Sequence, residues 1–138
     1  METGDAIPVI PHFFRISHVL NSGAAFSIFE NTANPQRTKW MLIGFSVIAA
    51  IAVFVFLLRI GRALTATSLA MALILGGAIG NVYDRVAYGT VTDFLEVHIF
   101  SYHWPDFNVA DSAIVIGGIL ILLDSLRPTR TPSKTAEV

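Results

Sequence analysis

The sequence predicts an all-α membrane bundle with a small extracytoplasmic β element, and three observations carry that prediction. Of its 138 residues, 54% are hydrophobic and only 14% are charged, against roughly 25% charged in soluble domains. The apolar residues fall in three blocks, 40–58, 63–83 and about 107–126, of the length that crosses a bilayer. Residues 1–39 hold no such block; they mix aromatic and β-branched residues with polar ones. Residues 1–126 therefore form a single membrane domain, with 1–39 as surface β structure and loop.

Composition also excludes several classes. A net charge of −1 gives no case for nucleic acid. The chain has no cysteine, so disulfides, thiolate catalysis and Cys-ligated metals are ruled out. The opening METGDAIPV has neither the basic nor the apolar region of a cleavable signal peptide.

In chain order, Pro8 and Pro11 interrupt the start, and 12–29 follows as HFFRISHVLNSGAAFSIF. Phe14, Ile16 and His18 would share one strand face, with Arg15, Ser17 and Val19 on the other. Asn21-Ser22-Gly23 supplies turn chemistry. A short strand or hairpin on the membrane surface is expected, then a polar loop at 30–39. The block 40–58 has 19 uncharged residues between Lys39 and Arg59, about 28 Å as a helix, with Trp40 at a boundary where indoles settle. The second, 63–83, opens with Thr65, Thr67 and Ser68 and runs into GGAIGNVYDR. The third has an uncharged core of only 12 residues, Ser112–Leu123, between Asp111 and Asp124. The tail 127–138, with two prolines, reads as disordered. Arg59 and Arg62 in one loop, with Arg127, Arg130 and Lys134 after the third span, mark the cytoplasmic side. The 88–104 loop, its aromatics Tyr88, Phe94, Phe100, Tyr102 and Trp104 lying in the interface, then falls outside.

Asp111 stands at the threshold of a greasy helix, and Asp93 lies 18 positions earlier, beyond the previous greasy segment. A carboxylate inside a bilayer costs roughly 2.5–3.5 kcal/mol at full depth, so it has a task or a partner. Two acids brought together cannot both ionise cheaply, and one then holds a proton. Asp93 and Asp111 are accordingly expected to form a catalytic dyad. Gly77, Asn81 and Arg85 repeat every four residues and share a helix face. Gly76 and Gly80 make a small-xxx-small pair that suits a packing seam. Asn81 and Arg85, aimed along it, are ready donors for carboxylates or a peptide backbone, the bland alternative being an interfacial Asp84-Arg85 cap. Asn108 and Asp111 are i, i+3 neighbours and could bond each other, or simply cap the helix. Asp106, after Pro105, and Glu96, among aromatics, suit solvated roles. His98 and His103 fit no zinc signature and HExxH is absent, so no metal is expected. Nor is there a GxSxG for serine chemistry.

Four blocks, NSGAAFSIF at 21–29, GGAIGNVYDRV at 76–86, VTDF at 91–94 and FNVADSAI at 107–114, together resemble the lipoprotein signal peptidase (signal peptidase II) family. The resemblance covers roughly residues 7–126. It implies an intramembrane aspartic endopeptidase of the bacterial inner membrane, with Asp93 and Asp111 catalytic. It further implies that Asn21, Gly77, Asn81, Arg85, Asn108 and Ala110 line or support the site. The substrates would be prolipoproteins, cut just before a diacylglyceryl-modified cysteine, near the extracytoplasmic face. Residues 7–30 would form a surface β-cradle and part of 88–104 a lid. No cofactor is implied; the partners are the lipidated signal peptide and membrane lipid, and the chain is expected to be a monomer. The family has four spans, the first with a DQ-x-TK-like segment, where this sequence has three. The alternative expectation is a truncated relative that binds lipidated signal peptides without cutting them. A proton-relay role for Asp93, Asp111 and Arg85 lacks the inverted repeat of transporters.

Overall fold

The computed structural model describes residues 1–23, 34–60 and 64–127. Within them lie β1 (Ala6–Ile10), β2 (Phe14–Asn21), α1 (Pro35–Ile60), α2 (Ala66–Ala87), β3 (Val91–Ile99), β4 (Tyr102–Phe107) and α3 (Val109–Ser125). Residues 24–29 of the first quoted block, 30–33 of the expected polar loop, the 61–63 connection and the 128–138 tail lie outside the described residues.

Each helix begins where a side chain satisfies its open N–H groups. Asn34 accepts from the amide of Arg37 at 3.1 Å, and Pro35, whose φ is already helical and which has no N–H to lose, takes the first helical position of α1. Residues 35–39 are thus helix rather than loop. Thr65 and Ser68 form a reciprocal capping box at the start of α2. α1 and α2 are each long and apolar enough to cross a membrane. α3 has 17 residues, about 25 Å, with Asp111 in its first turn and Asp124 near its last. Its exterior is greasy all the same: Val115, Ile116, Ile119, Leu122 and Leu123 are exposed, as are Phe45, Ile48, Ile51 and Leu58 of α1. Such an outside is soluble in lipid rather than in water.

α2 and α3 are packed through glycine. A Cβ on Gly77 would lie 2.4 Å from the Ala110 carbonyl oxygen, and one on Gly117 would lie 2.6 Å from that of Ala70. Gly77 and Ala70 are seven residues apart on α2, as Ala110 and Gly117 are on α3, so the antiparallel helices touch backbone to backbone at two levels. The seam is shifted from the expected one. Gly76 has nothing within 4 Å of its Cβ position, and Gly80 meets only the Cβ of Ala110 at 3.4 Å. Small residues at 76, 77 and 80 permit either helix phase, and the buried polar side chains of Asn81 and Arg85 decide for Gly77.

The β element is larger than expected. Four antiparallel strands run in the order β1-β2-β3-β4, so the 88–104 stretch is mostly sheet, not an interfacial loop. Val91, Val97 and Ile99 are β-branched, and β2 offers β3 a hydrogen-bonding edge. The hairpin between β3 and β4 turns at Phe100, whose φ of +56° is unusual for a bulky side chain. Bulges interrupt β2 between Ile16 and Val19 and the β3–β4 pair between Leu95 and Val97. They explain why strict alternation fits 14–19 poorly and why both Asp93 and Glu96, three residues apart, are buried. The sheet leaves α2 after Ala87 and returns to α3 at Val109, so it stands at the end of the helix pair where Arg85 and Asp111 lie.

The two neighbouring glycines separate packing from propensity. Gly77→Ala forces the helices apart and is expected to cost about 1–3 kcal/mol. Gly76→Ala, in open space, is expected to be neutral or to stabilise by up to about 1 kcal/mol. Thermal unfolding of both variants in detergent micelles checks this; equal melting temperatures would contradict the seam.

Candidate active site

Asn108 is the residue on which the site is built. It sits in extended conformation as the N-cap of α3, and its side-chain oxygen accepts from the Asp111 amide at 3.0 Å. Asp111 returns a bond, Oδ2 accepting from the Asn108 amide at 3.2 Å. Capping therefore accounts for one half of the Asn108 side chain. The other half, Nδ2, donates to Asp93 Oδ1 at 2.9 Å and to Asn81 Oδ1 at 3.2 Å. Asn81 Nδ2 donates in turn to Asp111 Oδ1 at 2.8 Å. Asp93 on β3 and Asp111 on α3 are thereby joined through two amides.

Asn21, at the end of β2, donates to Asp93 Oδ2 at 2.9 Å and accepts from the Gly23 amide at 2.9 Å. Arg85 does not form an interfacial cap: it is buried. Its Nη2 donates to the Gly23 carbonyl at 2.7 Å and its Nη1 to the Asn81 carbonyl at 3.2 Å. Arg85 Nε has no partner among the described residues. The guanidinium thus pins the 21–23 segment against α2 while its charge acts on both Asp111 and Asp93. Gly77 and Ala110, the latter next to Asp111 in the chain, meet at the seam and set the distance between α2 and α3.

Asn21, Asp93 and Asp111 open onto a cavity of about 430 Å³. Its other walls come from Trp104, Asp106, Phe107, Ser112, Ile114, Val115 and Ile116. Apart from its acids, it is an apolar space with polar groups at one end, the usual form of a ligand site. Two acids of the sheet, one on this wall and one outside it, escaped the sequence reading. Asp106 is a β4 residue that accepts from Ser17 Oγ at 2.7 Å, not a solvated turn. Glu96 is buried, with Arg15, His98 and His103 around it. Adjacency of Asp106 to the FNVAD block was the one available signal for the first; the second depends on strand pairing across more than 70 positions.

Among the described residues, the hydrogen bonds to the two carboxylates come from N–H donors, which suits negative charge, yet burial opposes it. For Asp93 burial is the largest influence and holds its carboxyl above the ordinary aspartate range. The Asn21 and Asn108 amides pull the other way, while Asp111 and then Asp106 push it up further.

The sequence matches the family described as Signal peptidase (SPase) II over residues 1–127. It is 46% identical to a lipoprotein signal peptidase of Solibacter usitatus over 126 residues, 91% of this chain and 76% of that one. A lipoprotein signal peptidase of Geobacter metallireducens is 44% identical over 134 residues, 97% of this chain and 81% of that one. In structure it is similar to a bacterial membrane enzyme solved by the in meso method at 2.3 Å, with a TM-score of 0.82 and 36% identity. That match covers all of this chain and 80% of the other.

Because the folded-state pKa of Asp93 is raised, its contribution to stability is full below the unfolded value, about 3.9. It is lost as pH rises through the folded one. The melting temperature of Asp93→Asn relative to the parent is therefore expected to shift in the variant's favour from pH 4 towards pH 7. Thermal scans across that range in detergent check it, and a difference that stays constant with pH would contradict it.

Proposed function

The chain belongs to the signal peptidase II family, and from that premise we propose that it is an intramembrane aspartic endopeptidase using Asp93 and Asp111. Its substrates are prolipoproteins, cut on the N-terminal side of a diacylglyceryl-modified cysteine. The observation that carries this reading is the junction of two acids from different elements, through Asn108 and Asn81, at the polar end of an apolar cavity.

The pair holds one proton and titrates as a unit. Its ionised member takes a proton from a water, whose oxygen attacks the scissile carbonyl carbon. The protonated member donates to the carbonyl oxygen as the tetrahedral intermediate forms. Collapse breaks the C–N bond: one hydroxyl proton of the intermediate returns to the acid that donated, and the proton taken from water passes to the departing amine. Asn81 and Asn108 hold the carboxyl groups in place, Asn21 fixes Asp93 from the opposite side, and Arg85 supplies positive charge without a direct bond to either acid. Phe107, Ile114, Val115 and Ile116 suit the apolar part of a signal peptide.

α3 is the third span in this reading. Its depth matches the others only if Asp111 sits at the membrane boundary, at the end of the helix pair where the sheet stands. The sheet then lies on the extracytoplasmic face of the bacterial inner membrane and the α3 C-terminus on the cytoplasmic face, with the protein acting as a monomer.

Cleavage of a lipidated prolipoprotein in mixed micelles tests the assignment. Asp93→Asn and Asp111→Asn are each expected to lower the rate about a thousandfold or more while leaving membrane insertion intact. Asp106→Asn, which keeps an oxygen to accept from Ser17, is expected to retain most activity. Equal loss from all three would mean that the acids serve folding instead; cleavage surviving in Asp93→Asn or Asp111→Asn would remove the dyad.

A further inference from the structure

A second cluster of ionisable groups, Glu96, His98 and His103, lies on the sheet apart from the Asp93–Asp111 pair and borders Asp106 of the cavity wall. Strand pairing sets His98 of β3 directly opposite His103 of β4. Their rings stack with centroids 4.9 Å apart and planes within 12°. Both direct Nε2 towards a single oxygen, Glu96 Oε1, at 2.7 Å for His98 and 3.6 Å for His103. Arg15 Nη1 approaches the same oxygen at 3.1 Å.

That oxygen is oversubscribed. A carboxylate oxygen has two lone pairs, and three nitrogens converge on it. His103 Nε2 is left 3.6 Å from Glu96 Oε1 and 3.8 Å from Asp106 Oδ2, too far from either for a hydrogen bond. Ligands around a tetrahedral ion with bonds of 2.0–2.1 Å stand roughly 3.3 Å from one another, so the spacing suits atoms that share an ion. One ligand atom from each of Glu96, His98 and His103 falls within 4.8 Å of the other two.

We propose that Glu96, His98 and His103 form a binding site for a divalent transition cation of the zinc type, with Asp106 or water as the fourth ligand. Two imidazoles and a carboxylate are a donor set that suits zinc better than magnesium or calcium. Binding gives the two imidazoles and the carboxylate a shared partner in place of competition for one oxygen. Arg15 is the resident competitor, and its side chain is 40% exposed, so it has room to withdraw. The ion would tie β3 to β4 beside Trp104 and Asp106, two residues of the cavity wall. Zinc-signature spacing does not describe such a site, because the two histidines meet across a hairpin instead of along a helix.

Untagged protein stripped with a chelator and titrated with Zn²⁺ in detergent tests the proposal. One equivalent is expected to bind by calorimetry and to raise the melting temperature. His98→Gln and His103→Gln are expected to weaken binding at least tenfold, and Arg15→Gln to tighten it several-fold. His12→Gln and Asp111→Asn, outside the cluster, are expected to leave it intact. X-ray absorption of the loaded parent, which depends on no variant, is expected to show two imidazole ligands. Absence of a one-equivalent site, binding indifferent to both histidine changes, loss in Arg15→Gln, or dependence on Asp111 would each overturn the assignment.

Discussion

The amide of Asn108 is the constraint on which the rest of the structure depends. Its oxygen closes the N-terminus of α3, and its nitrogen reaches Asp93 on the sheet and Asn81 on α2. One planar group thus fixes a helix start, a strand and a second helix relative to one another. A cap alone contributes about 1 kcal/mol, and a buried carboxylate left without its donor costs more. Local helix chemistry and the geometry of the acids are consequently inseparable: a shift of the cap moves Asp93 with respect to Asp111.

Around this centre the molecule reverses the usual arrangement of a water-soluble domain. Its buried residues include Asn21, Asn81, Arg85, Asp93, Glu96 and Asn108, while large apolar side chains cover the helices outside. Lipid gives the helices no hydrophobic reason to associate. Contact therefore comes from the close approach at Gly77 and Gly117 and from the polar network at the sheet end. At the far end Thr67 donates to Asp124 at 2.5 Å, a smaller counterpart that holds the α2–α3 pair there. α1 has few buried residues, Thr38 and Ile43 among them.

Much of this was legible in the sequence, for reasons that differ from element to element. The helices announced themselves by long apolar blocks, and Asp93 and Asp111 by their cost in such a setting. The strands of 91–107 were harder, because Phe94, Tyr102 and Trp104 suit a membrane interface as well as a sheet. What decides for sheet is an edge supplied by β2, more than 70 residues away. Glu96 and Asp106 looked solvated for the same reason: Arg15 and Ser17, the partners that allow their burial, come from β2. Gly76 and Gly77 are chemically identical, and only the three-dimensional phase of α2 tells them apart. Asn108 was open to two readings, cap or site residue; its oxygen caps α3 and its nitrogen bonds Asp93.

The pairing of β2 with β3 also governs the order in which the protein can assemble. Asn21 and Asp93 are 72 residues apart, and closing a loop of that length costs about 4 kcal/mol of chain entropy. During synthesis the amino-terminal hairpin emerges with one edge unmatched and must wait for both long helices to be made and inserted. Only when the ribosome has delivered β3 does that edge find its mate. The acid of the sheet thus meets its anchoring strand late, and the polar centre waits longer still, until Asn108 and Asp111 have followed.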